Sequence, residues 1–158
     1  MTVTSEDDRR FMERCLELAR AAADRDEVPV GAVVVRDGKI LGEGGNRCVE
    51  LGDPTAHAEM QALRQAFVKS GEGRLVGATL YCTLEPCFMC AGAALHARVA
   101  RIVFGTRDPK FGACGSLAEL PQDQRLNHRC PVHEGVCGDE VAELMRAFFR
   151  KLRGPAPG

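Results

Sequence analysis

The sequence has no tryptophan and one tyrosine, and aromatic residues make up only 5% of it. No run approaches the ~20 apolar residues that a membrane-spanning helix requires, so no membrane association is expected. The first ten residues are acidic and polar, ending Ser5-Glu-Asp-Asp-Arg-Arg10. They lack the apolar stretch behind a basic start that marks a secretory signal, and the expected location is cytoplasmic. An excess of one charge is also missing: 21 basic against 22 acidic residues leave −1. That balance argues against indiscriminate nucleic-acid binding by the whole surface and confines any RNA contact to local basic patches.

What is present fits a globular protein, with 45% hydrophobic and 27% charged residues in a chain of 158. This length suits one domain with one core, placed at residues 1–153, with Gly154-Pro-Ala-Pro-Gly158 as a disordered tail. Eight cysteines in a chain without a secretory signal favour reduced thiols or metal ligands over a disulfide framework.

Ser5, followed by Glu6, Asp7 and Asp8, predicts a capped helix start. Phe11, Met12, Cys15, Leu16, Ala19 and Ala22 continue it at helical spacing. Val30 to Val35 predicts a buried strand, Asp37-Gly38 a tight hairpin, and Lys39 to Gly44 the returning strand. Gly44 to Pro54 is expected as a loop, with Thr55 capping a helix from about His57 to Val68. Leu80 to Thr83 predicts a third strand, with Pro86 in the first turn of the helix behind it. A fourth strand is expected at Arg101–Gly105 and a short fifth at 131–134, with residues 106–130 irregular. In the last helix Val141, Leu144, Met145, Phe148, Phe149 and Leu152 share one face, and the two phenylalanines are expected in the core. Alternating strands and helices predict an α/β protein, a three-layer α/β/α domain.

The chemistry concentrates in His57-Ala-Glu59 and Pro86-Cys-Phe-Met-Cys90. One imidazole and two thiolates make three zinc ligands and leave a fourth position open, as in a catalytic site. Both segments begin helices, whose N-terminal dipoles favour thiolate. Glu59, two residues past His57, points elsewhere and is better placed to handle protons of a zinc-bound water than to bind the ion. Zinc brings the pKa of such a water to about 7, giving a hydroxide nucleophile at neutral pH. H-x-E alone is a weak signal, and so is C-x-x-C. Their combination, with P-C-x-x-C about 30 residues after the histidine, is the signature of zinc-dependent nucleobase deaminases.

Beyond the signature, Glu27-Val-Pro-Val-Gly-Ala32, Asp53-Pro-Thr-Ala-His-Ala-Glu59, Thr83-Leu-Glu-Pro-Cys87 and Met89-Cys-Ala-Gly-Ala93 resemble the bacterial tRNA adenosine deaminases. Val103-Phe-Gly105, Asn127-His128 and Phe148-Phe-Arg150 extend the likeness over residues 8–152. The resemblance implies a cytidine-deaminase-like domain with a mixed sheet of about five strands. It also implies a homodimer that converts adenosine to inosine at the wobble position of a tRNA anticodon. His57, Cys87 and Cys90 would bind one Zn²⁺ per chain, and Glu59 would shuttle protons. Asn46 would contact the flipped-out nucleotide, and Val28, Pro29, Val30 and Leu84 would line its pocket. The Ala58 N–H would bond the base, and Asp108 would contact the RNA backbone. Unpaired anticodon-loop bases can be splayed out at little cost. Gly45 departs from the family, which often carries an aromatic there. Cys48 and Thr106, near the expected ribose site, replace residues that are often alanine or proline.

Each assignment has a plainer counterpart. Asn46 could cap a turn, and Asp108 could start one before Pro109. Arg150 and Lys151 belong to a basic cluster that either complements the helix C-terminus or contacts phosphates. His128, Cys130, His133 and Cys137 match no tight metal knuckle and are expected to be structural. Two other functions remain open at this level: deamination of a free nucleobase or nucleoside such as guanine or cytosine, and a non-catalytic zinc-containing tRNA-binding subunit. Intact Glu59 argues against the second.

Overall fold

The computed structural model describes residues 5–154; the expected tail beyond Gly154 lies outside them. Five α-helices and five strands follow in order: α1 (Ser5–Asp24), β1 (Gly31–Arg36), β2 (Lys39–Gly45), α2 (Cys48–Leu51), α3 (Ala58–Ser70), β3 (Thr79–Leu84), α4 (Phe88–His96), β4 (Arg101–Thr106), β5 (Val132–Glu134) and α5 (Gly138–Arg153), with one short 3-10 helix, Leu120–Gln122, before β5. The strands form one sheet in the order β2-β1-β3-β4-β5. β1 runs antiparallel to β2 and β3, whereas β3, β4 and β5 are parallel. α4 makes the crossover between β3 and β4, so both strands point their C-terminal ends to one edge of the sheet.

Alternation along the strands divides the core between two faces. Ala32, Val34, Leu80, Cys82, Ile102 and Phe104 pack with Ala62, Leu63 and Ala66 of α3 and Ala91 and Ala94 of α4. Val33, Val35, Tyr81 and Val103 point the other way and pack with Phe11, Met12 and Cys15 of α1. Phe11 and Tyr81 bring their ring centres within 5.3 Å there. α5 joins α1 on this second face, completing the three layers.

Two features of the hairpin follow from residue chemistry. Asp37 and Gly38 both have positive φ, as a two-residue turn between twisted strands demands. Gly42 lets α3 approach β2 closely: a Cβ there would sit 2.1 Å from the Ala62 carbonyl oxygen and 2.6 Å from the Ala66 nitrogen.

The structure corrects several sequence-based expectations. The loop expected over Gly44–Pro54 contains α2, a single turn too short to show periodicity. α3 is capped at His57; Thr55 instead donates its N–H and hydroxyl to Asp53 Oδ1, at 2.8 and 2.7 Å. α4 is capped at Cys87, so Pro86 lies just outside the helix. In α5 only Val141 is fully buried, and Phe149 is 39% exposed where a core position was expected. Leu144, Met145 and Phe148 are half-buried, and Leu152 is exposed, so cover thins towards the end of the helix.

Candidate metal centre and active site

His57 and Cys87 occupy equivalent places, each in extended backbone at the N-cap of a helix. α3 and α4 lie side by side on one face of the sheet, so their N-termini bring the two residues together. Cys90 follows one turn into α4. The His57 Nδ1 atom lies 3.6 Å from the Cys87 Sγ and 3.5 Å from the Cys90 Sγ. Nitrogen and sulfur ligands about 2.0 and 2.3 Å from one tetrahedral ion should be about 3.6 Å apart. The donor atoms are therefore already spaced for zinc, and this is the one such trio among the described residues.

The electrostatics agree. Hydrogen bonding from the Cys90 thiol, opposed by burial and helped by His57, holds Cys87 down to about 4. Cys90 is pushed up by that same hydrogen bond and by burial. His57 is raised by its hydrogen bond with Cys87, against the effect of burial. Glu59, in the first turn of α3, is 4% exposed, and burial lifts its carboxyl to about 7. A carboxyl poised there can both take and return a proton at neutral pH.

The surrounding residues are held by contacts distant in sequence. Asn46 accepts the Ala58 N–H through its side-chain oxygen at 2.8 Å. One lone pair of the side-chain oxygen is thereby used, and the bond fixes the direction of the amide NH₂. That bond also takes up the Ala58 N–H expected to reach the base. The Asn46 backbone is fixed too, its N–H donating to the Val30 carbonyl at 3.2 Å. Pro29 is the middle of a three-residue turn in which Val30 donates to the Val28 carbonyl at 2.8 Å. Pro29 and Val30 are buried, while Val28 and Leu84 are half-buried against the α3–α4 side of the core. At Gly45 the side-chain space is closed by α1: a Cβ would lie 3.0 Å from the Leu18 carbonyl oxygen and 3.2 Å from the Ala22 Cβ, with the Arg25 guanidinium 3.5 Å away and donating to the Asn46 carbonyl at 3.4 Å.

Asp108 performs the turn-starting role: its Oδ1 accepts the N–H groups of Lys110 at 3.0 Å and Phe111 at 3.3 Å. Arg150 pairs with Glu143 at 3.0 Å on the surface. With Lys110, Met145, Arg146, Phe149, Leu152 and Arg153 it lines an open cleft of about 610 Å³; Lys151 is exposed outside that lining. The four residues weighed as a second metal cluster are not gathered. His128 Nε2 pairs with the Val99 carbonyl at 2.7 Å, Cys130 is buried, His133 is exposed and Cys137 caps α5.

Two buried carboxylates went unassigned in the sequence. Glu27, 1% exposed, accepts the N–H groups of Val49 and Glu50 at 3.0 and 2.8 Å and so caps α2 from outside. Glu85, 2% exposed, accepts three backbone N–H groups of the loop after β4. The available signal was an isolated acid beside a strand in an apolar setting, which must be satisfied by hydrogen bonds if buried.

Residues 6–153 match the family model of the MafB19-like deaminases. The chain belongs to that family. Its sequence is 48% identical over 143 residues to a tRNA-specific adenosine deaminase of Agrobacterium fabrum, covering 90% of this chain and 94% of the relative. It is 47% identical over 152 residues to the tRNA-specific adenosine deaminase of Haemophilus influenzae, covering 96% and 88%. A structure from work on A-to-I editing by tRNA:A34 deaminases superposes with a TM-score of 0.82 at 47% identity, over 85% of this chain and 98% of that one. A guanine deaminase from Nitrosomonas europaea gives 0.74 at 28% identity, covering 89% and 83%. Within the family, the chain groups with the tRNA-specific adenosine deaminases.

Proposed function

We propose that this member of the deaminase family converts adenosine to inosine at the wobble position of a tRNA anticodon, consuming water and releasing ammonia. The carrying observation is the open His57–Cys87–Cys90 donor set with the buried Glu59 carboxyl beside it. These three residues hold one zinc ion per chain. When bound, zinc supplies Lewis acidity that brings the pKa of water to about 7. Glu59 accepts one proton of the attacking water and delivers it to the ring nitrogen beside the amino-bearing carbon as the C–O bond forms; it then carries the second water proton to the amino group, whose C–N bond breaks to release ammonia. The Asn46 NH₂ donates to the target nucleotide. Val28, Pro29, Val30 and Leu84 supply apolar walls that exclude bulk water from the base. Asp108 contacts the RNA backbone, and Arg150 and Lys151 meet phosphates. The chain works as a homodimer in the cytoplasm, and no helix among the described residues is long and apolar enough to cross a membrane.

Identity to the tRNA-specific relatives, well above that to the guanine deaminase, favours RNA over a free base. The test is to incubate anticodon stem-loops carrying adenosine either at the wobble position or one place away, then digest them to nucleosides. Inosine from the first alone is expected; inosine from both, or from neither, contradicts the assignment.

A further inference from the structure

Glu85 sits between the metal-binding turn and the loop at 107–117, and its carboxylate is filled from the loop side. Oε1 accepts the Asp108 N–H at 3.0 Å, and Oε2 accepts the N–H groups of Cys114 and Ser116, both at 3.0 Å. The Ser116 hydroxyl donates to Oε1 as well. Burial opposes ionisation of this carboxyl, but these donors outweigh it and hold it below the usual range. The acceptors are thus saturated, and no polar atom of Glu85 is left for substrate.

Its neighbours make the connection rigid. The Ala113 N–H donates to the Pro86 carbonyl at 2.9 Å, and Gly112 forms a backbone bridge with Cys87. Gly112 is bare because the carboxylate occupies its side-chain space: a Cβ would lie 2.3 Å from Glu85 Cδ and 2.4 Å from each oxygen. Asp108, exposed Phe111 and Lys110 ride on this loop.

We infer that Glu85 is a positioning residue: it clamps the 107–117 loop to the Pro86–Cys87 turn and so fixes where Asp108 and Phe111 meet the RNA strand relative to the metal ligands. This rests on RNA being the substrate. The clamp itself belongs to the free protein and is testable without any substrate.

The experiment compares wild type, Glu85→Gln and Gly112→Ala, each zinc-loaded. Gln keeps the shape but turns one acceptor into a donor facing N–H groups; Gly112→Ala keeps Glu85 in the chain but pushes its carboxylate away from the loop amides. Amide hydrogen exchange without RNA is read first. Asp108, Cys114 and Ser116 should exchange about tenfold faster or more in both variants, with Tyr81 and Val103 in the sheet unchanged. Unchanged protection of the three loop amides in the folded variants overturns the clamp. Kinetics on the wobble-adenosine stem-loop follow: KM should rise about tenfold while kcat falls less, and the double variant should be no worse than the poorer single one. A loosened loop with unchanged KM overturns its role in engaging RNA. A wild type inactive on the stem-loop would sink the RNA assignment, while the exchange data would still decide the clamp.

Discussion

Asn46 and Ala58 tie the two walls of the site together: the asparagine side-chain oxygen, just beyond β2, accepts the N–H of the first residue of α3 at 2.8 Å. A helix whose own N-cap supplies no side-chain bond is thus capped from another element. The same contact orients the free amide end of Asn46.

The two functions of Asn46 can be separated. Asn46→Asp keeps an acceptor for Ala58 and should leave stability within about 0.5 kcal/mol, yet lower deamination at least about tenfold by removing the donor to substrate. Asn46→Ala should also lose about 1 kcal/mol of stability. Urea unfolding and initial rates check both; full activity in Asn46→Asp would remove the substrate role.

Gly42→Ala forces a methyl into the backbone of α3 and should cost about 3 kcal/mol or more, read as a fall in the urea midpoint. A change under about 0.5 kcal/mol would mean that α3 and β2 are less closely packed than described.

The gathering of His57, Cys87 and Cys90 was legible in the sequence because two short motifs carry all three at fixed offsets, and helix starts at Ala58 and Phe88 bring them together. The strands were legible because Val30–Val35 and Arg101–Gly105 lie between clear turn residues. Glu27 and Glu85 were not legible as supports, since their partners lie 22 to 31 residues away and, apart from the Ser116 hydroxyl, are backbone amides, which carry no sequence signal. The α5 stripe misled for a related reason: periodicity shows that a helix has an apolar face, but only tertiary placement shows how much of it is covered.

Asp8 should make stability depend on pH. Its carboxylate accepts hydrogen bonds from Tyr81 Oη at 2.7 Å and from Arg101 in a buried cluster beneath α1. Burial alone would raise its pKa, but the Arg101 and Tyr81 hydrogen bonds and the charge of Arg101 bring it below the ordinary value. A depressed carboxyl contributes fully above its unfolded value of about 4 and progressively less as pH falls through the folded one. Asp8→Asn should therefore cost about 3 kcal/mol at pH 7, with the gap to wild type narrowing below about pH 4. Parallel stability curves down to pH 2 would contradict this.

Replacing Arg150 and Lys151 together with alanine should weaken stem-loop binding and flatten its dependence on salt. Two lost phosphate contacts reduce the slope of log K against log salt by about 1.5. An unchanged slope would leave the pair as a solvated surface, consistent with the Arg150–Glu143 ion pair alone.

Ammonia release by the zinc-loaded protein, set against Glu59→Ala, tests the central claim most directly. The substrates are the wobble-adenosine stem-loop, free adenosine, guanine and cytosine. We expect release from the stem-loop alone, with a loss of about 10²–10⁴-fold in Glu59→Ala although zinc stays at one per chain. Equal release by the variant, or turnover of a free base with none from RNA, would contradict an RNA-editing hydrolase that uses Glu59 as its proton carrier.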